Sequence, residues 1–199
     1  AMAASSYVFA CATPAQRLDD WIEGMVRALH FYGGVPQLIV PDNARAVIAS
    51  PDRYEPRAND TVQDFARHYG CSVLPARPRT PRDKASAESS VQVITRWVLA
   101  RLRHQHFDTV AQVDAAIAAL LPSVNERPFQ KLEGSRASVF AQLDAPALMP
   151  LPAQRYELAR FKTVKVHIDY HVEIEAHRYS VPHALVGQEL YARITRRAV

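Results

Sequence analysis

The amino-acid sequence predicts an α/β fold followed by a small antiparallel β domain. Over residues 6–74, short β-rich runs alternate with segments whose apolar residues recur at helical spacing, which is typical of an α/β layer with parallel strands. Beyond residue 156, apolar and polar residues alternate with period two, as in antiparallel strands. A proline-rich stretch separates the two patterns, so we predict a core over 1–143, a linker over 144–155 and a β domain over 156–199.

The first elements follow each other in strand–helix order. "SYVFACA" (6–12) predicts a buried strand, and a helix follows it, with Thr13 as its cap, Pro14 in its first turn and Gly33 at its end. "PQLIV" predicts a second short strand. "RANDTVQDFARHYG" predicts a helix that ends at Gly70, and "CSVLPA" predicts a third strand.

Helices dominate the next part of the sequence. "RPRTPRDK" is a basic loop, and "ASAESSVQVITRWVLARLRHQHF" predicts one long helix. Thr109 to about Asn125 predicts another, and Ser135 leads a short one. The alternating tail predicts antiparallel strands that form a small barrel.

Composition sets broad limits on function. The 199 residues are 48% hydrophobic and 22% charged, which is ordinary for a globular protein. A net charge of +4 weakly favours an anionic partner such as nucleic acid. Cys11 and Cys71 lack zinc-module spacing, so we expect a cytoplasmic protein, and no apolar run reaches the roughly 18 residues of a membrane span. Both ends fall in strand-like segments, so we expect a fragment of a larger protein.

Asp42 is the first candidate site residue, because it follows the apolar run "LIV". Functional groups of α/β proteins gather beyond the carboxyl ends of strands. The alternative is a turn, because Pro-Asp-Asn is common turn chemistry. Taken alone, the turn is the stronger interpretation.

Glu88 is the second candidate, in the first turns of the long helix. The alternative is an exposed ion pair with Lys84, four residues earlier. Together with Asp42, however, Glu88 could supply one of the carboxylates from separate elements that converge on a two-metal site. Mg²⁺ prefers such hard oxygen ligands.

Positive charge is concentrated near these acids. Between Arg77 and His106 there are seven Lys or Arg and two acidic residues, a net charge of +5. Basic residues beside a metal site suit a DNA backbone, and the alternative is a solvated helix face. The candidate nucleic-acid ligands are Asn43, Arg77, Arg79, Arg82, Lys84, Gln92 and Arg96.

Several segments together resemble a known family. "GGVPQLIVPDNARAVI", "ARPRTPRDKASAES" with the following "VQVITRWVLARLR", and "NERPFQKLEGSRASVFAQLD" resemble the DDE integrase-type transposases of bacterial insertion sequences, specifically the IstA type. "VHIDYHVEIEAHRYSVPHALVGQEL" looks like the C-terminal domain of that family. The Asp-Asn pair is a weak signal alone, and the combination is specific.

The resemblance implies a ribonuclease-H-like core of the retroviral-integrase type, here without its opening strands. It implies two Asp and one Glu that hold two Mg²⁺ (or Mn²⁺) ions, with Asp42 matching the second acid and Glu88 the third. The resemblance places the first Asp on the opening strand of the fold, upstream of residue 5, and Asp19 and Asp20 cannot replace it, because they lie inside the first predicted helix.

The implied function is metal-dependent DNA cleavage and strand transfer that integrates an insertion sequence. The implied partners are double-stranded DNA at the transposon ends and the target, further copies of the chain in a multimer, and an AAA+ ATPase helper. The alternative is a non-catalytic DNA-binding or assembly module, or a remnant of a degraded transposase, because only two of the three acids are present.

Overall fold

The computed structural model describes residues 1–41, 48–50, 57–58, 60–74, 89–130 and 132–199. The chain forms two compact units, Ala1–Tyr156 and Glu157–Val199. The predicted boundaries at residues 144 and 156 stay predictions.

The first half of the first unit contains the predicted alternation of helices and strands. Its elements are helix α1 (Leu18–Tyr32), strands β1 (Leu38–Ile39), β2 (Ile48–Ser50) and β3 (Arg57–Ala58), helix α2 (Asp60–Tyr69) and strand β4 (Ser72–Val73). β1 and β4 are paired in parallel, with Leu38 opposite Ser72 and Ile39 opposite Val73. β2 and β3 form an antiparallel pair. The parallel pairing confirms the α/β class.

Helix α1 begins later than the sequence predicts. Thr13 is not its cap, because the Thr13 hydroxyl donates to the carbonyl of Ala15 (2.9 Å), outside the helix. The Asp20 carboxylate instead accepts from the backbone N–H of Arg17 (3.1 Å), the residue before the first helical turn. The predicted end is confirmed, since Gly33 has the left-handed φ of 72° that glycine adopts without strain.

The segment predicted as a strand over residues 6–12 is not a regular strand. Its central residue is paired with a side chain: the Asn125 amide donates to the carbonyl of Val8 (2.8 Å) and accepts from the N–H of Val8 (2.9 Å). Both residues are buried. The prediction was wrong because β-branched and aromatic residues indicate a buried segment. A strand also requires hydrogen bonds to the backbone of a neighbouring strand.

Two carboxylates hold the flanks of the same extended segment. Asp144 accepts from the N–H groups of Ser5 (2.9 Å) and Ala4 (3.3 Å). Asp114 accepts from the N–H of Ala12 (3.0 Å) and also binds the guanidinium of Arg27. Side chains thus replace strand partners along this segment.

The second half of the first unit is helical, as predicted. Helix α3 covers residues 89–102 and includes a π-helical stretch at Thr95–Leu99. Helix α4 (Val110–Asn125) is capped by Thr109, whose hydroxyl accepts from the N–H of Gln112. Helix α5 (Arg136–Val139) is capped by Ser135 and continues as a π-helical turn over Phe140–Asp144. The core between these elements contains Val8, Val98, Leu102, Ile117, Leu121 and Val124.

Parts of the predicted linker pack within the first unit. Asp144 is buried, and Met149 forms a backbone bridge with Val35, whose N–H···O distances are 2.8 and 2.9 Å. Tyr156 is also buried and donates its hydroxyl to the carboxylate of Asp64 (3.0 Å). At these residues the proline-rich stretch is therefore packed within the first unit.

The second unit consists of antiparallel strands, as predicted. These are β5 (Arg160–Lys165), β6 (His171–Ile174), β7 (His177–Ser180) and β8 (Glu189–Ile194). β5 is paired with β8, and β6 with β7, around a core of Val164, Val166, Val172 and Ile174. Within the described residues these are two separate two-stranded sheets, so the predicted closed barrel is not seen.

We predict that Asn125→Leu destabilises the first unit. The change leaves the buried N–H and carbonyl of Val8 without their partner, at about 1–3 kcal/mol for each group. Urea unfolding followed by tryptophan fluorescence measures this loss, because Trp21 and Trp97 both lie in the first unit.

Ser123→Ala on the same helix is the matched control. Ser123 is exposed and its hydroxyl donates only to the carbonyl of Leu120, so we expect a change within about 0.5 kcal/mol. Equal stability of the two variants would contradict the role of Asn125.

We also predict that stability decreases above pH 10. Burial raises the pKa of Tyr32 well above the ordinary 10.0. The unfolded chain therefore releases this proton first, so the contribution is complete below pH 10 and is lost as pH rises through the folded-state pKa. The free energy of unfolding, obtained from urea unfolding between pH 8 and 11, should fall above pH 10 by up to about 1.4 kcal/mol per pH unit for this group. Tyr32→Phe should show a shallower decline, and an identical slope would refute the assignment.

Candidate nucleic-acid and metal site

The parallel strands β1 and β4 end side by side. The N–H of Leu74 donates to the carbonyl of Ile39 (3.0 Å) just beyond the paired residues. The chain then continues through exposed Val40 and buried Pro41. The predicted strand before Asp42 is therefore present, and its carboxyl end lies at the edge of the sheet where functional groups of α/β proteins gather.

Most predicted site residues lie outside the described residues. These are Asp42, Asn43, Arg77, Arg79, Arg82, Lys84 and Glu88. Glu88 comes directly before residue 89, the first described residue of α3. The metal-ligand and DNA-binding roles of these residues stay predictions.

Gln92 and Arg96 are the two predicted site residues that the structure describes. Both are exposed on α3. They are four residues apart, so they occupy neighbouring positions on one side of the helix. This arrangement leaves both side chains accessible to a ligand.

The described residues contain no group of three or more His, Cys, Asp or Glu side chains that could hold a metal ion. None of the described helices combines the length and the apolar character needed to cross a bilayer.

The structure reveals a group of arginines that sequence reasoning did not select. The guanidinium carbon of Arg127 lies 3.6 Å from the ring centroid of Trp97, and that of Arg101 lies 5.7 Å from the same centroid. The guanidinium carbon of Arg136 lies 5.6 Å from the ring centroid of Phe129. We call these five residues the arginine–aromatic cluster.

The cluster carries positive charge that no described carboxylate neutralises. Its three arginines form no ion pair with the described residues. Arg136 donates to the carbonyl of Val124 (3.5 Å), at the end of α4. The pKa of Arg136 is lowered by burial and then by the nearby charge of Arg127.

A weak sequence signal for the cluster exists. Arginine and aromatic residues alternate in "RWVLAR" and "NERPF", a pattern that suits a polyanion. Sequence alone does not show that Arg127 lies over Trp97, because 30 positions separate them. Part of the Trp97 side chain packs against the core.

The sequence is similar to transposases along its whole length. Residues 151–199 match the family described as Mu transposase, C-terminal domain. The chain is 55% identical over 198 residues to a putative transposase for insertion sequence IS408 of Burkholderia multivorans, and covers 38% of that protein. It is 49% identical over 199 residues to the putative transposase of IS1162 from Pseudomonas fluorescens, and covers 36% of it. It is 28% identical over 185 residues to the transposase of IS21 from Pseudomonas aeruginosa, with 92% of the chain and 47% of that protein covered.

The solved structures that resemble this chain in fold include an integrase core domain and a chain of a viral intasome. The catalytic core domain of BIV integrase matches with a TM-score of 0.54 and 13% identity, covering 71% of this chain and 82% of that one. A chain of the simian T-cell lymphotropic virus intasome in complex with PP2A regulatory subunit B56 gamma matches with a TM-score of 0.50 and 13% identity, covering 89% of this chain and 66% of that one. These matches support the predicted ribonuclease-H-like integrase fold.

The chain thus spans less than two fifths of the IS408 and IS1162 proteins. The predicted resemblance is confirmed, and the chain is related along its whole length to the transposases of bacterial insertion sequences.

Proposed function

We propose that this chain acts in DNA transposition, as part of a DDE-type transposase that cleaves DNA and transfers its strands. The observation that carries the proposal is 55% identity over 198 residues to a protein named as a putative transposase. The integrase-core fold is independent support, because it rests on backbone geometry at 13% identity.

The local structure supports the proposed roles of the two acids. Asp42 follows β1 by three positions, at the carboxyl end of a parallel pair. Glu88 directly precedes the described part of α3, where a helix N-terminus favours a negative charge. The remaining acid of the trio, the first Asp, is expected in the part of the relatives that this chain does not cover.

The donor chemistry of Asp42 and Glu88 fits Mg²⁺, or Mn²⁺ in its place, because both supply hard carboxylate oxygens. Asp42 and Glu88 would hold two such ions together with the remaining acid, and the bound metal would supply activation of a water or 3′-hydroxyl and stabilisation of the leaving oxygen in an in-line phosphodiester attack. The proposed contribution of this chain is two carboxylates, one after β1 and one before the described part of α3 in the sequence.

The proposed DNA contacts are close to these acids in the sequence. Arg77, Arg79, Arg82 and Lys84 supply positive charge ahead of Glu88. Gln92 and Arg96 extend the contacts along the exposed side of α3. Asn43 is positioned next to Asp42 to orient it or to contact DNA.

The proposed setting is the bacterial cytoplasm, where the protein assembles as a multimer on transposon ends. An AAA+ ATPase helper is the further proposed partner, and it rests on the family resemblance alone.

We predict that Asp42→Asn and Glu88→Gln each reduce strand transfer below about 1% of the parental rate. That loss corresponds to at least about 2.7 kcal/mol of transition-state stabilisation. The experiment places this chain in the IS408 relative, in exchange for the matching 38%. Transfer is measured with Mg²⁺ and a labelled DNA end.

Duplex binding by the same chimaeras is the control. Because each variant removes a negative charge, binding should be retained or strengthened. Undiminished transfer in either variant would remove that acid from the proposed site. A parental chimaera that binds DNA and joins none would favour the non-catalytic module.

A further inference from the structure

The arginine–aromatic cluster lies on α3, on the segment after α4 and on α5. Arg101 follows Trp97 by four residues on α3, Arg127 follows the last residue of α4 by two, and Arg136 is the first residue of α5. Three elements therefore bring positive charge to one place. Such convergence depends on the fold, unlike a run of charges along one exposed helix.

The position of Arg127 leaves its hydrogen-bonding groups available. A carbon 3.6 Å from the centroid of Trp97 must lie over the face of the indole. Cation–π attraction then holds the guanidinium, and its N–H groups remain along its edge. Those donors match the oxygens of a phosphate in a bidentate geometry.

Trp97 is a fixed platform for these arginines. It lies in the π-helical stretch Thr95–Leu99, and short π-helical segments often occur at functional sites. Part of the ring packs against the core cluster that includes Val98 and Leu102. A half-buried platform lowers the conformational entropy that Arg127 loses when it binds a ligand.

The segment that carries Arg127 is fixed at both ends. Asn125 is buried and hydrogen-bonded to Val8. Beyond Arg127, Pro128 forms a backbone bridge with Ser135, and the N–H of Phe129 donates to the carbonyl of Gly134 (2.9 Å). The positions of Arg127 and Arg136 are therefore set before any ligand arrives.

The cluster is separate from the predicted basic loop. Trp97 is eight residues after residue 89 on α3, a rise of about 12 Å. At about 3.4 Å per base pair, this distance corresponds to three or four base pairs of B-DNA. The cluster therefore lies a few base pairs along α3 from residue 89, the first described residue of that helix.

We propose that Arg101, Arg127 and Arg136, supported by Trp97 and Phe129, form a second phosphate-binding site for the DNA backbone, centred about 12 Å along α3 from residue 89. The inference rests on the proposed function, and it adds residues outside the 77–96 region to the DNA-binding surface. Since guanidinium groups read phosphate and not base edges here, the site contributes affinity and register without sequence preference.

The test measures duplex binding by the 199-residue chain. A labelled 30-base-pair duplex of arbitrary sequence is titrated between 50 and 300 mM NaCl, and binding is followed by fluorescence anisotropy. Arg127→Gln should weaken binding roughly 10-fold at low salt. It should also reduce the slope of log K against log[salt] by about one.

Arg17→Gln is the matched control, because Arg17 is exposed and lies at the start of α1. It removes the same charge from a different place, so it reports the effect of net charge alone. Arg127→Lys keeps the charge and loses the bidentate fork, so its affinity should lie between those of the wild type and Arg127→Gln. Circular dichroism verifies that each variant is folded, and the Lys variant decides the outcome if the Gln variant is not.

A second readout reports directly on the platform. In a Trp21→Phe background, Trp97 is the only tryptophan, and its emission should change when duplex binds. No change in emission at saturating duplex would contradict the proposal.

The outcomes separate this inference from the proposed function. If wild-type chain binds duplex and Arg127→Gln behaves like Arg17→Gln, the cluster proposal fails and the proposed function stands. If the wild type binds no duplex at 50 mM NaCl, DNA binding by both surfaces fails. Equal competition by a polyglutamate peptide of matched charge would show a general anion site and overturn the assignment to DNA.

Discussion

The first unit depends on the amide of Asn125. An extended chain without a neighbouring strand must still satisfy its buried N–H and carbonyl groups. Asn is suited to this task because one side chain carries both a donor and an acceptor, like a peptide group. Here it binds both backbone groups of Val8 and so fixes the N-terminal segment against helix α4. The core residues Val8, Leu121 and Val124 pack beside this contact.

The same end of α4 connects the core to the charged surface. After Asn125 the N–H of Glu126 still donates to the carbonyl of Pro122 (2.8 Å), so the chain leaves the helix in a fixed direction. Arg127 is then held over Trp97, while Arg136 donates to the carbonyl of Val124. Burial of one polar side chain thus determines where two guanidinium groups lie. A function that needs a preorganised charge benefits from this coupling, since the ordering cost is met during folding.

Helices and their ends could be predicted where the deciding residues are close together in the sequence. α1 and α2 have helical apolar spacing and end at Gly33 and Gly70, whose φ values are 72° and 68°. The predicted starts of two later helices at Thr109 and Ser135 are confirmed, and both residues are the caps of those helices. The predicted helix start at Thr13 was wrong, because the Thr13 hydroxyl donates to the carbonyl of Ala15 and the helix begins at Leu18.

Long-range contacts explain what sequence reasoning missed. The segment over residues 6–12 has strand composition, and its pairing is decided by residues more than 100 positions away, Asn125 and Asp114. The arginine–aromatic cluster was missed for the same reason, because Trp97 and Arg127 come into contact only in the folded chain. Asp42 and Glu88 were selected by position and by the resemblance, and the described residues show the strand before Asp42 and the helix after Glu88.

The distribution of charge explains how one surface of a modestly basic chain can favour DNA. Residues 77–106 carry +5 while the whole chain carries +4, so the remaining residues together carry −1. Arg127 and Arg136 belong to that remainder, and without them it carries −3. A polyanion is therefore attracted more strongly to residues 77–106 and the arginine–aromatic cluster than to the rest of the chain taken together. For the proposed DNA partner, such asymmetry orients the duplex before any close contact forms, and the attraction is screened by added salt over a Debye length of about 10 Å at 0.1 M. The net charge of +4 does not show this uneven distribution of charge, which depends on the positions of the arginines.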